Sequence, residues 1–104
     1  MIVMEKEFRK YLYLDIDEKV ATEILGAEKE AELFGVLEKF MEQEGFCLTK
    51  GSLSIYHSTR PMSIAEVEAV VDRMVEAYPF MTKCVRDSET GDILNETHII
   101  FHED

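Results

Sequence analysis

Two carboxylates, Asp15 and Asp17, stand two residues apart at the end of a short apolar run, Tyr11-Leu12-Tyr13-Leu14-Asp15-Ile16. Carboxylates placed this way can hold a hard cation or move a proton. Side chains alternate faces along a strand. Leu12, Leu14 and Ile16 therefore point one way, and Tyr11, Tyr13 and Asp15 the other. The aliphatic face has the composition of a core and calls for helices on it. The tyrosine face is still sticky and carries the acid, so it calls for a partner. Asp15 has a second reading as a strand-end carboxylate that caps a nearby backbone amide.

Other chemistries are weaker. Leu14-Asp15-Ile16-Asp17 has the Asp-x-Asp form of haloacid-dehalogenase-type phosphatases. Those need a larger parallel α/β domain and further acidic motifs, for which this chain has no room. His98 and His102 have zinc-like spacing only on a helix; on a strand they lie about 13 Å apart and cannot share an ion. The residues Ile93, Ile99, Ile100 and Phe101 favour a strand there. There is no Gly-rich phosphate loop and no Cys/His catalytic spacing.

The elements that must position Asp15 follow from periodicity. Met1 to Lys10 is a charged lead-in with too few apolar residues for a signal peptide. Asp17-Glu18-Lys19 is a turn or helix start, and Val20, Ala21, Ile24 and Leu25 give a short helix before Gly26. The clearest helix is Glu28 to Glu44, with Ala31, Phe34, Leu37 and Met41 in one stripe, widened by Leu33 and Phe40. Its outer face is acidic and reads as solvated. Gly45 takes the place of a C-terminal cap.

Phe46 to His57 is extended, with Gly51-Ser52 marking a bulge or tight turn. Ser63 and Glu66 form a capping-box pattern opening a helix that ends by Tyr78, before Pro79. Phe80 to Asp87 reads as a strand, Ser88 to Asp92 as a turn, and Ile93 to His102 as a last strand. The expected class is α+β: a ferredoxin-like βαββαβ domain with an extra C-terminal strand, helices on one face of an antiparallel sheet. Two copies stacking their bare sheet faces about a two-fold axis would supply the cover. The last strand could then lock the pair by adding to the partner's sheet edge.

The 104 residues are expected to form one domain, 1–104, with a modest core. Acids outnumber bases 22 to 11, for a net charge of −11. That opposes loose attraction to nucleic acid or anionic membrane and is the main obstacle to any nucleic-acid function. Cys47 and Cys84 have no spacing motif and read as free thiols in a reducing compartment. No run reaches membrane-spanning length. A cytoplasmic protein is expected.

Gly45-Phe46, Gly51-Ser52-Leu53, a following helix, Pro79-Phe80 and Lys83-Cys84-Val85-Arg86-Asp87 come in an order and spacing that resembles the virulence-associated protein D (VapD) family. The strand ending in Asp15 fits, and the likeness covers about Tyr11 to Asp87. The family is similar in fold to the small dimeric nuclease-like protein of CRISPR spacer acquisition. The resemblance implies a ferredoxin-like homodimer. It also implies endoribonuclease activity, in some members as the toxin of a toxin–antitoxin pair. By the same resemblance Asp15 is the first-strand acid near the dimer axis, and Ser52 the Gly-Ser position of the hairpin. This chain departs from the family in having Ser54 where a tyrosine is usual. It departs again in the polar, acidic stretch Ser88 to Asp92 and the Glu103-Asp104 ending.

Cleaving RNA requires activation of the 2′-hydroxyl or a water, neutralisation of phosphate charge and protonation of the leaving oxygen. Two copies of Asp15 across a two-fold axis could bind one Mg²⁺, with Asp17 assisting. Ser52 would contact phosphate or a metal-bound water, or else bond its own backbone as a bulge residue. Lys50, Arg60 and Arg86 are the candidate phosphate contacts; surface ion pairing is their competing role. The alternative function is a non-catalytic acidic interaction module on the same fold, a nucleic-acid mimic or inhibitor that binds a basic protein.

Overall fold

The computed structural model describes residues 8–94. The strand expected at Ile93–His102 lies, beyond Leu94, outside the described residues. The order of elements is β1 (Lys10–Ile16), α1 (Glu18–Leu25), α2 (Ala27–Gln43), β2 (Phe46–Leu48), β3 (Ile55–Ser58), α3 (Ile64–Ala77), α4 (Met81–Cys84) and β4 (Val85–Asp92). The four strands form one sheet in the order β2-β3-β1-β4, with antiparallel neighbours throughout. This α+β architecture is compatible with a ferredoxin-like arrangement.

β1 alternates as its sequence requires. Lys10, Leu12, Leu14 and Ile16 are buried, while Tyr11, Tyr13 and Asp15 are half-buried. Leu12 and Leu14 join Ala21 of α1, Leu33, Leu37 and Met41 of α2, and Val67, Val70 and Met74 of α3 in a single core cluster. The three longer helices therefore share one face of the sheet. Full burial of a leucine contributes about 2 kcal/mol, so β1 is the strand whose pattern most strongly fixes which face is covered.

The helix ends are set locally. Asp17 caps α1, its Oδ1 accepting from the amides of Lys19 (3.0 Å) and Val20 (3.2 Å). Gly26 joins α1 to α2, and Gly45 follows α2 at φ 90°, a backbone conformation in which a side chain would be strained. The capping box at α3 is present in full: the Ser63 hydroxyl accepts from the Glu66 amide and the Glu66 carboxylate accepts from the Ser63 amide. Tyr78 closes α3 ahead of Pro79.

Two expectations are overturned after Pro79. Phe80 to Asp87 is not one strand: Met81–Cys84 is a helical turn with both ends buried, and the Thr82 hydroxyl donates to the Pro79 carbonyl. Ser88 to Asp92 is not a turn: it continues β4, paired with β1 from Leu14↔Ser88 to Lys10↔Asp92. β4 lacks the apolar alternation of a core strand because much of it is exposed. Its ladder to β1 and the hydrogen bond from the Thr90 hydroxyl to the Tyr11 carbonyl (2.7 Å) hold it instead.

Candidate functional site

The ladder registers define the bare face of the sheet. Residues directly opposite one another share a face. Tyr11, Tyr13 and Asp15 of β1 thus lie with Ile55 and His57 of β3, Cys47 of β2, and Asp87, Glu89 and Gly91 of β4. Its β2–β3 side is mostly apolar and its β4 side acidic. Tyr11 bridges the two. Its ring lies on Gly91, where an added Cβ would come within 2.8 Å of the ring, and its hydroxyl donates to Glu89 Oε2 at 2.6 Å. That hydrogen bond, more than burial, pushes the Tyr11 phenol above its ordinary pKa.

Asp15 lies at the end of this face, opposite Asp87. Between Asp15 and Ile16 the register slips: Asp15 faces Asp87 but Ile16 faces Val85, which leaves Arg86 as the extra residue of a bulge. The bulge delivers Arg86 to Asp15, its Nη2 donating to Asp15 Oδ1 at 3.0 Å. Arg86 Nη1 is 3.9 Å from Asp17 Oδ2, the carboxylate oxygen that does not cap α1. The Asp17 amide donates to the Cys84 carbonyl (2.7 Å), which ties the start of α1 to the residue before β4. The bond to Asp15, followed by the charges of Asp15 and Asp17, raises the pKa of Arg86 further. The guanidinium is bracketed by two acids, yet its side chain stays 59% exposed.

The other candidates are placed differently. Ser52 Oγ accepts from the amides of Ser54 and Ile55, both at 3.0 Å, so it shapes the β2–β3 hairpin. The Leu14 amide donates to the Ser54 carbonyl, which puts that hairpin at the Asp15 end of the sheet. Lys50 is exposed in the same hairpin. Arg60 lies at the opposite end, beyond Ser58, whose hydroxyl accepts from the Lys10 amide. There Arg60 pairs with Glu66 at 3.4 Å, beside the α3 cap. Of the three candidate phosphate contacts, Arg86 is the one the structure brings to Asp15. Glu89 on the bare face is hidden from periodicity, because Ser88–Asp92 carries no strand pattern to align it with β1.

Within this chain the donors around Asp15 do not fit a Mg²⁺ ion. One Asp15 oxygen is engaged by Arg86, one Asp17 oxygen by two helix amides, and a guanidinium stands where a dication would have to sit. Among the described residues no group of three or more His, Cys, Asp or Glu is gathered to hold a metal. His98 and His102 lie outside them. No helix of the described residues is long and apolar enough to cross a membrane. No protein-family model and no curated protein matches the chain.

Proposed function

We propose that this chain is a VapD-like homodimeric endoribonuclease with a ferredoxin-like βαββαβ fold. The observation that carries this reading is the Asp15–Arg86 pair on the uncovered sheet face. Two segments of the VapD resemblance, the strand ending in Asp15 and the stretch Lys83–Asp87, lie 71 residues apart and meet in one carboxylate–guanidinium contact. A proton acceptor beside a fork-shaped cation supplies two of the three things RNA cleavage needs, activation of the nucleophile and neutralisation of the phosphate, and leaves protonation of the leaving oxygen to water. The half-exposed, largely aromatic patch of Tyr11, Tyr13 and His57 with Ile55 supports a second copy packed on this face, bringing two Asp15 residues towards one axis. A role as the toxin of a toxin–antitoxin pair is consistent with such an activity.

The test is incubation of the purified protein with mixed RNA, with and without Mg²⁺, beside Asp15→Ala, with sedimentation of both proteins. Wild type should cleave; Asp15→Ala should remain a dimer and not cleave. Undiminished cleavage by Asp15→Ala removes Asp15 from the reaction.

The charge of the bare face favours a second reading, the non-catalytic module for a basic protein. Asp15, Asp17, Asp87 and Glu89 outnumber Arg86 at this end of the sheet. This reading predicts salt-sensitive binding of a basic protein and no RNA turnover under either condition.

A further inference from the structure

We infer that Arg86, rather than a divalent ion, is the phosphate-neutralising group at Asp15, and that substrate binding itself releases the acid. This rests on the endoribonuclease reading and specifies the chemistry of that site. A guanidinium binds a phosphodiester through two parallel N–H donors. Arg86 already directs both terminal nitrogens at acids: Nη2 at Asp15 (3.0 Å) and Nη1 towards Asp17 (3.9 Å). It is well exposed, whereas the two carboxylates are about a quarter exposed. Arg86 and Asp15 stand at the end of the sheet, past the Tyr11, Tyr13, Ile55 and His57 patch on which the second copy packs. A phosphate of the RNA can therefore reach the fork from that open end and take the place of Asp15 Oδ1. Asp17 cannot follow, because its other oxygen is tied to the first turn of α1. It stays near Arg86 Nη1, at 3.9 Å, and keeps a fixed negative charge beside the guanidinium. Asp15 is left without its guanidinium partner and within reach of a ribose whose phosphate sits on Arg86.

The reaction that follows is transesterification. Asp15 accepts the proton of the 2′-hydroxyl, the 2′-oxygen bonds to phosphorus, and the phosphorus–O5′ bond breaks. The departing O5′ takes a proton from water, and the hydroxide so formed takes the 2′-hydroxyl proton back from Asp15. The products are a 2′,3′-cyclic phosphate and a 5′-hydroxyl, so the substrate class is RNA with a free 2′-hydroxyl at the scissile position. Arg86 touches the phosphate and is a catalytic residue; Asp17 acts through it and is a positioning residue.

The experiment uses two fluorescent oligonucleotides of one sequence, RNA and its 2′-O-methyl counterpart, with the full chain in EDTA or in Mg²⁺. Wild type should cleave the RNA in EDTA, leave the 2′-O-methyl strand intact and give cyclic-phosphate ends by mass. Asp15→Asn should lose cleavage yet bind the 2′-O-methyl strand about threefold more tightly, because it frees the fork. Arg86→Gln should bind it about tenfold more weakly, with Arg86→Lys between the two. A purely structural pair would not move these affinities in opposite directions. Cleavage that needs Mg²⁺, 5′-phosphate ends, or weaker binding by Asp15→Asn overturns the inference and leaves the endoribonuclease reading standing. Absence of RNA cleavage in both EDTA and Mg²⁺ overturns both.

Discussion

The two faces of the sheet carry the same chemical parts in opposite surroundings. Each has an ion pair with β4 and a tyrosine near its middle. On the helix-backed face Lys10 is 5% exposed at its side chain and pairs with Asp92 at 2.8 Å, its Nζ also donating to the Phe8 carbonyl. Tyr56, opposite Leu12 on the same face, is 1% exposed. On the bare face Arg86 and Asp15 pair at 3.0 Å in reach of water, and Tyr11 shares its proton with Glu89 at the surface. A buried pair whose partner is lost leaves a charge without hydration, whereas an exposed pair exchanges its partner for water or ligand at little cost. One face is thereby committed to the fold, and the other is free to trade partners.

Substitutions should separate the two. Asp15→Asn has the largest expected effect: a fall of about 10²–10⁴-fold in RNA cleavage with a change in urea stability below about 0.5 kcal/mol. A matching loss of stability would place Asp15 with the framework instead. Asp92→Asn should cost about 3 kcal/mol, since it strands the buried Lys10 ammonium. Lys10→Met should cost less, roughly 1 kcal/mol, because Asp92 is 41% exposed and can be hydrated. Equal costs in urea melts would mean that Lys10 is not sealed as described.

The tyrosines sharpen the contrast by titration. Burial, with the charge of Glu38 adding to it, pushes the Tyr56 phenol up to about 12 from 10.0. The folded state thus favours the protonated form. This stabilisation is fully present below pH 10 and is lost as pH climbs towards 12, a loss of about 3 kcal/mol. Tyr56→Phe should flatten urea stability across that window. Tyr11 has the same sign but is half exposed, so Tyr11→Phe should flatten it far less. Gly91→Ala should have an effect as small as that of Lys10→Met. Its new methyl must push the Tyr11 ring aside and release Glu89, costing about 1 kcal/mol. The Tyr11 phenol should then titrate nearer its ordinary value, measurable by ultraviolet absorbance.

Legibility in the sequence followed the same division. β1, the α2 stripe and the α3 capping box depend on residues a few positions apart, and periodicity finds them. Even there the outer members shift: Leu33 is buried where Ala31 is exposed. β4 is hidden from periodicity because an exposed edge strand of Ser88, Glu89, Thr90, Gly91 and Asp92 has no core face to advertise it. The turn at Met81–Cys84 looks like strand in sequence because its two buried residues, Met81 and Cys84, also suit a strand. Asp15 could be singled out from its place at the end of an apolar run. That Arg86 would be the cation to reach it depends on a bulge 71 residues away, which only the paired strands reveal.

Asp17 gives α1 and the guanidinium a common hinge-pin: one oxygen starts the helix and the other looks at Arg86. Asparagine at this position would keep the helix start and remove the charge, while alanine would remove both. Sorting a library at this position for thermal resistance should therefore enrich Asp, Asn and Ser together, whereas sorting it for RNA turnover should enrich aspartate alone.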